Sequence, residues 1–214
     1  MSKTNNFNRI APFYDLMARA VFGQAIHQAP KVFFEQLPEV ESILVVGGGS
    51  GSLLEDLQNH FKTATVTYVE PSSRMMAMAR SRTSNPIAVD FIESTLENTV
   101  LPDSHYQLII TSFVLDLFAK ERLNQVMTLL FNKIKPQGHW LHCDFYVHDQ
   151  SPRWQQWLLK SMYYFFWFST NLESRELQDF SSYFQKFPLS YKASRGFYGD
   201  MIRSYWYQKT GTVY

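Results

Sequence analysis

Short apolar runs alternate with stretches whose apolar positions recur every three or four residues, and the alternation continues from residue 42 to residue 145. Unbroken apolar runs of this length read as buried strands, and the wider spacing as helices packed on them. Strands are expected at 42–46, 65–69, 87–92, 106–112 and 139–145. A helix is expected over 52–60, with Leu53, Leu54 and Leu57 on one face. Another follows Pro71 with Ser72 or Ser73 as its N-cap, running to residue 81. A third spans 120–135, its buried face formed by Leu123, Val126, Met127, Leu130 and Ile134, and Pro136 and Gly138 stop it. Beyond 145 the period changes. Residues 151–168 and 174–186 read as helical, and 189–194 and 201–209 as two strands around a loop holding Gly196 and Gly199. So short a connection makes that pair antiparallel. The pattern predicts an α/β fold of Rossmann-like type: a mostly parallel seven-stranded sheet with an antiparallel edge strand and helices on both faces. No repeat or linker divides the chain, so a single domain is expected over 1–214, with an N-terminal helical cap at 1–40 and a helical insert at 146–186.

The first strand runs straight into glycines at 47, 49 and 51, and a helix follows. A strand passing through such a turn into a helix builds a nucleotide pocket, because glycine lets the backbone approach a ligand closely. A dinucleotide fingerprint would read Gly-x-Gly-x-x-Gly, and counted from Gly47 its last position falls on Ser52. The chain reads Gly-x-Gly-x-Gly instead. Glu70 ends the second strand, 23 residues after Gly47, where a carboxylate accepts from two ribose hydroxyls at once. NAD would use the same geometry.

Several motifs in register resemble the class I S-adenosylmethionine (SAM) methyltransferases. Phe7-Asn8-Arg9-Ile10-Ala11-Pro12-Phe13-Tyr14-Asp15 is similar to the opening segment of the ubiquinone/menaquinone-type C-methyltransferases. Leu101-Pro102-Asp103 and Tyr106-Gln107-Leu108-Ile109 resemble the segment leading into the fourth strand, and Ile134-Lys135-Pro136-Gln137-Gly138 the turn before the fifth. The resemblance implies the class I methyltransferase fold and SAM as cofactor. It implies that Gly47, Gly49 and Gly51 pass backbone around the methionine half, that Thr95 and Leu96 lie against adenine, that Met75 packs on the adenine–ribose face, and that Tyr14 closes over the cofactor. The chain also departs from the family. Val45 and Thr95 stand where acids are common, Gln107 replaces an Asp and Gln137 a Gly.

The net charge of +1, with no long basic run, leaves no electrostatic footprint for nucleic acid. One cysteine, Cys143, excludes an internal disulfide, and no Cys/His spacing suggests a metal site. The N-terminus lacks a secretory pattern, so the cytoplasm is the expected compartment. Aromatic residues reach 16%, and eight of the fifteen residues at 154–168 are Trp, Tyr or Phe. The apolar run 162–168 is far shorter than the ~20 residues of a membrane span. This segment, Phe165 and Trp167 included, falls where the resembled family builds a substrate lid, which implies a small lipophilic or aromatic acceptor; a homodimer through the aromatic helix is the alternative use. A sulfonium methyl needs mainly an oriented acceptor and no water. Where a base helps, Asp116 is the candidate catalytic residue, ahead of His142 and Asp144, which share one strand face. The expected function is SAM-dependent methylation at carbon or oxygen. The alternatives are a degenerate methyltransferase-fold scaffold, and more remotely an aminopropyltransferase or an NAD-dependent dehydrogenase.

Overall fold

A computed structural model of the chain describes Asn8 and residues 11–83, 88–146, 151–170 and 180–211; the side chains of 12–14, 163 and 165–170 lie outside the described set. The elements in chain order are α1 (Ala11–Phe22), α2 (Ala25–Gln28), β1 (Ser42–Val46), α3 (Leu54–His60), β2 (Thr65–Val69), α4 (Ser73–Arg82), β3 (Val89–Ile92), β4 (Tyr106–Ser112), α5 (Lys120–Lys133), β5 (Ile134–Phe145), α6 (Arg153–Thr170), α7 (Phe180–Phe184), β6 (Leu189–Phe197) and β7 (Ile202–Lys209). Residues 171–179, the first part of the helix expected at 174–186, are outside the described residues.

The seven strands form one sheet in the order β3-β2-β1-β4-β5-β7-β6. The first five are parallel, and β7 is antiparallel to both β5 and β6. The expected antiparallel strand is therefore β7, and it lies one place in from the edge. The hairpin folds back so that its second strand meets β5 and its first becomes the edge. All five residues of β1 are buried, as a central parallel strand covered on both faces requires.

Alternation along the strands divides the core. Leu44, Val46, Ile109 and Trp140 face α5 and α7, meeting Leu123, Val126, Met127 and Leu130 of the one and Phe180 and Phe184 of the other. Ile43, Val45, Tyr68, Leu108 and Ile110 face α3 and α4, with Phe33, Phe34 and Leu37 of the N-terminal cap. A third cluster seats α6 through Leu159 against Phe22, Ile26, Phe145 and Ile202.

The chain passes from α5 into β5 at Ile134, which pairs with Tyr106 before a register shift brings Leu108 opposite His139. The expected break at Pro136–Gly138 is thus a bulge within a strand. Gln137 takes φ 63° there, in the left-handed region. Gln107 also has a specific job, since its Oε1 accepts from the amide of Glu41 at 2.7 Å and fixes the start of β1.

One buried polar group titrates against its surroundings. His142 lies 1% exposed on β5, with Nδ1 3.3 Å from the Thr111 hydroxyl, which also accepts from Trp140 Nε1. The rings of Phe180 and Phe184 pack on it, and Nε2 has no hydrogen-bond partner among the described residues. Burial holds its pKa down to about 3, against an ordinary 6.5.

Two outcomes are expected. Gln137→Gly should stabilise the fold by roughly 0.5–1 kcal/mol in denaturant titration, since it removes left-handed strain at the cost of a freer unfolded chain; a loss would refute the strain. His142 is neutral when folded and protonates first when unfolded. Its contribution is complete above pH 6.5 and is lost as pH falls from there toward about 3. Unfolding curves of His142→Leu across that window should lose up to ~1.4 kcal/mol per pH unit of slope relative to the parent. Parallel curves would show that the imidazole titrates normally.

Candidate active site

The strand order reverses direction between β1 and β4, and in open parallel sheets the crevice beyond the carboxyl ends at such a point receives ligands. A cleft opens there. Its walls enclose about 1350 Å³, the open mouth included, and come from the glycine turn, the end of β2, the start of α4, the loop after β3, the end of β4 and the N-terminal cap.

The turn after β1 is built backbone first. Gly47, Gly49 and Gly51 have φ of 62°, 62° and 82°. Their positions differ in what they need. A Cβ on Gly49 would meet nothing within 4 Å, so this residue presents bare backbone to the open cleft. A Cβ on Gly51 would lie 2.7 Å from the Ala79 backbone, so the third glycine exists to bring α4 against the turn. Tyr68 closes the turn from β2 by donating its hydroxyl to the Gly49 carbonyl at 2.9 Å.

Glu70 sits at the junction, 5% exposed and lining the cleft. Its Oε2 accepts from the Gly49 amide at 3.0 Å and its Oε1 from the Ser72 amide at 2.8 Å. Burial raises its pKa from 4.5, and the two amides oppose that rise. Each carboxylate oxygen takes two donors, so one acceptor site per oxygen remains. Ser72 caps α4 as expected, its hydroxyl accepting from the Met75 amide at 3.2 Å.

Met75, Thr95 and Leu96 line the same cleft as Glu70 and the glycine turn. Met75 and Leu96 are buried, and the Thr95 carbonyl anchors the short helical turn Leu96–Asn98 through Asn98 and Thr99. Val45, buried, is part of the wall without an acid. At the Thr95 end an acid does stand in the wall two residues later: Glu97, which accepts from Arg122 at 2.6 Å. Tyr14 lies on α1, but its side chain is outside the described residues, as are the sequence neighbours Phe13 and Pro12.

Asp116 is buried beside the cleft and does not line it; Val114 and Leu117 of the same turn do. Its amide donates to Asp144 Oδ2 at 3.3 Å, and the Phe145 amide donates to Oδ1 of the same carboxylate. Burial first, and the Asp116 charge second, push the Asp144 carboxyl well above the usual range. Asp144 thus shapes the cleft floor from beneath. His142 likewise does not line the cleft.

Other groups that pattern reading did not single out also line the cleft: Ala18, Ile26, His27 and Pro30 from the cap, and Ser112 and Phe113 at the end of β4. Phe113 is held at φ 54°, uncommon for a bulky residue, by its amide's bond to the Cys143 carbonyl at 2.8 Å. Ser112 has a buried hydroxyl with no hydrogen-bond partner among the described residues. Asp15 accepts from Ser50 at 2.8 Å and from Arg82 at 2.5 Å, and Arg82 also donates to Ser50 at 2.8 Å. These links join residues 35 and 67 apart in sequence, which no local pattern reveals.

Residues 43–138 match the family described as "Methyltransferase domain". Among curated proteins, the malonyl-[acyl-carrier protein] O-methyltransferase of Priestia megaterium is 30% identical over 142 residues, covering 65% of this chain and 49% of the relative. The chain therefore spans about half the length of that relative. Among solved structures, the mitomycin 7-O-methyltransferase MmcR superposes with a TM-score of 0.70 at 14% identity, covering 96% of this chain and 61% of that one. The N-methyltransferase NodS from Bradyrhizobium japonicum, in complex with S-adenosyl-L-homocysteine, gives 0.63 at 13% identity, over 87% of this chain and 86% of that one. The glycine turn, the acid at the end of β2 and the sheet order agree with these findings: residues 43–138 match a methyltransferase domain, and the chain has the class I SAM-dependent methyltransferase fold.

Proposed function

We propose that the chain is a SAM-dependent methyltransferase acting on a small apolar or aromatic acceptor, with transfer to oxygen the better supported chemistry. The observation that carries the reading is Glu70, a nearly buried carboxylate standing in the cleft between the glycine turn and the Thr95–Leu96 loop with acceptor capacity left on both oxygens. The residues present fit SAM. Glu70 would take the ribose hydroxyls, Met75 and Leu96 the adenine faces, and the bare backbone at Gly49 the methionine half. Glu97 supplies an acid at the adenine end.

When bound, SAM brings an electrophilic methyl group, and the chain's task is to orient the acceptor and keep water out. With ribose at Glu70 and adenine at Leu96, the remaining end of the cleft is the acceptor end. Its walls are apolar, from Ala18, Ile26, Pro30 and Phe113, with polar groups at His27 and Ser112. That mixture suits an apolar body with one polar reacting atom. His27 lines the cleft and is the candidate base there, whereas Asp116 does not line it. Oxygen transfer is supported by the name of the curated relative, a malonyl-[acyl-carrier protein] O-methyltransferase.

Calorimetric titration with S-adenosylhomocysteine should give micromolar binding and none for NAD. Glu70→Ala should weaken it about 100-fold, the loss expected for two hydrogen bonds to a charged acceptor. Protonation removes acceptor capacity, so affinity should fall as pH drops through the raised pKa of Glu70. Absence of binding would make the chain a scaffold on a methyltransferase fold.

A further inference from the structure

We propose that the outward face of α6 seats the protein on an anionic lipid surface. The inward face of this helix is accounted for, with Leu159 buried and Leu158 and Met162 packed against the cluster that holds Phe22 and Ile26. The outward face is aromatic. Trp154, Trp157 and Tyr164 are 53%, 74% and 69% exposed, at spacings that put them along one side of the helix. Tyr198, in the β6–β7 connection, extends the patch, its ring 6.2 Å from that of Trp154. Large exposed rings of this kind cost free energy in water and mark a contact surface.

The charges around the rings select the partner. Arg153 and Lys160 are exposed on the same side, and the 18 residues of α6 contain no acid. Arg195 adds a third exposed cation, over the ring of Phe197, which packs in the cluster that seats α6. Asp200, the acid of the β6–β7 connection, is ion-paired with Arg203. In a twofold contact between copies, α6 would meet its own cationic face, with no carboxylate on either helix to pair with Arg153 or Lys160. An anionic headgroup layer supplies that charge, and Trp and Tyr are the side chains that settle at its boundary, apolar ring inward and polar atom wet. No described helix is long and apolar enough to cross a membrane, so the contact lies on the surface. The same helix backs onto α1 and α2, whose Ala18 and Ile26 line the acceptor end of the cleft, so docking places that end near the lipid.

The test is co-sedimentation of the full chain with vesicles of phosphatidylcholine alone or mixed with phosphatidylglycerol. Tryptophan emission and light scattering are recorded alongside. The parent should bind the anionic vesicles at least tenfold more tightly than the neutral ones, with a blue shift of emission and weakening by salt. Trp154→Ala combined with Trp157→Ala should reduce that binding about tenfold or more. Arg153→Glu combined with Lys160→Glu should abolish the preference for anionic lipid. Both variants alter only exposed side chains and should keep the parent's unfolding midpoint and its behaviour toward S-adenosylhomocysteine, which separates failure of docking from failure of the methyltransferase reading. Three results would overturn the proposal: no binding to anionic vesicles, binding indifferent to both variants, or a dimer in light scattering that the tryptophan variant dissolves while vesicles stay unbound. The last would assign the face to a second copy of the chain.

Discussion

The carboxylate of Glu70 is the tie on which the cleft depends. One oxygen holds the Gly49 amide and the other the Ser72 amide, so a single side chain joins the turn after β1 to the first turn of α4. Packing of Gly51 on Ala79 and the Tyr68 hydroxyl bring the two loops together, and this carboxylate joins their polar tips. The tie has a cost, because burial disfavours the charged form, and the two amide bonds offset part of it. The fold accepts a destabilised acid here in exchange for a rigid frame with acceptor sites still open.

Around that frame the remaining walls are set by ordinary packing. Gly51 lets α4 close on the turn, Tyr68 braces the turn from β2, and Asp144 holds the Leu115–Leu117 turn under the floor. The cleft lining thus mixes the polar glycine turn and Glu70 with apolar groups from the cap and the end of β4.

Much of this was legible before any coordinates. β1, β2 and β4 have the expected bounds; in β1, buried at all five positions, a strand covered on both faces tolerates few polar residues and its bounds are therefore sharp. Gly47, Gly49, Glu70, Met75, Thr95 and Leu96 line one cleft, since each follows the end of a strand whose order the βαβ pattern dictates. What was not legible lies in tertiary choices. Nothing local says that β7 rather than β6 meets β5, or that Ile134 leaves a helix directly into a strand. Asp116 was chosen for its place after β4, but the turn carrying it buries the carboxyl and presents Val114 and Leu117 to the cleft instead. His27 was missed for the converse reason: it sits on a four-residue helix with no pattern to mark which side faces inward.

The Asp15–Ser50–Arg82 group gives the two sides of the cleft different physical characters. The floor is held by buried groups, the apolar contacts of Val114 and Leu115 and the hydrogen bonds of Asp144, which salt in the solvent screens little. The wall supplied by α1 is pinned to the glycine turn by a partly exposed carboxylate and guanidinium, and such pairs weaken as counterions accumulate. Added salt therefore weakens the tie of the α1 wall before it reaches the buried groups beneath the floor.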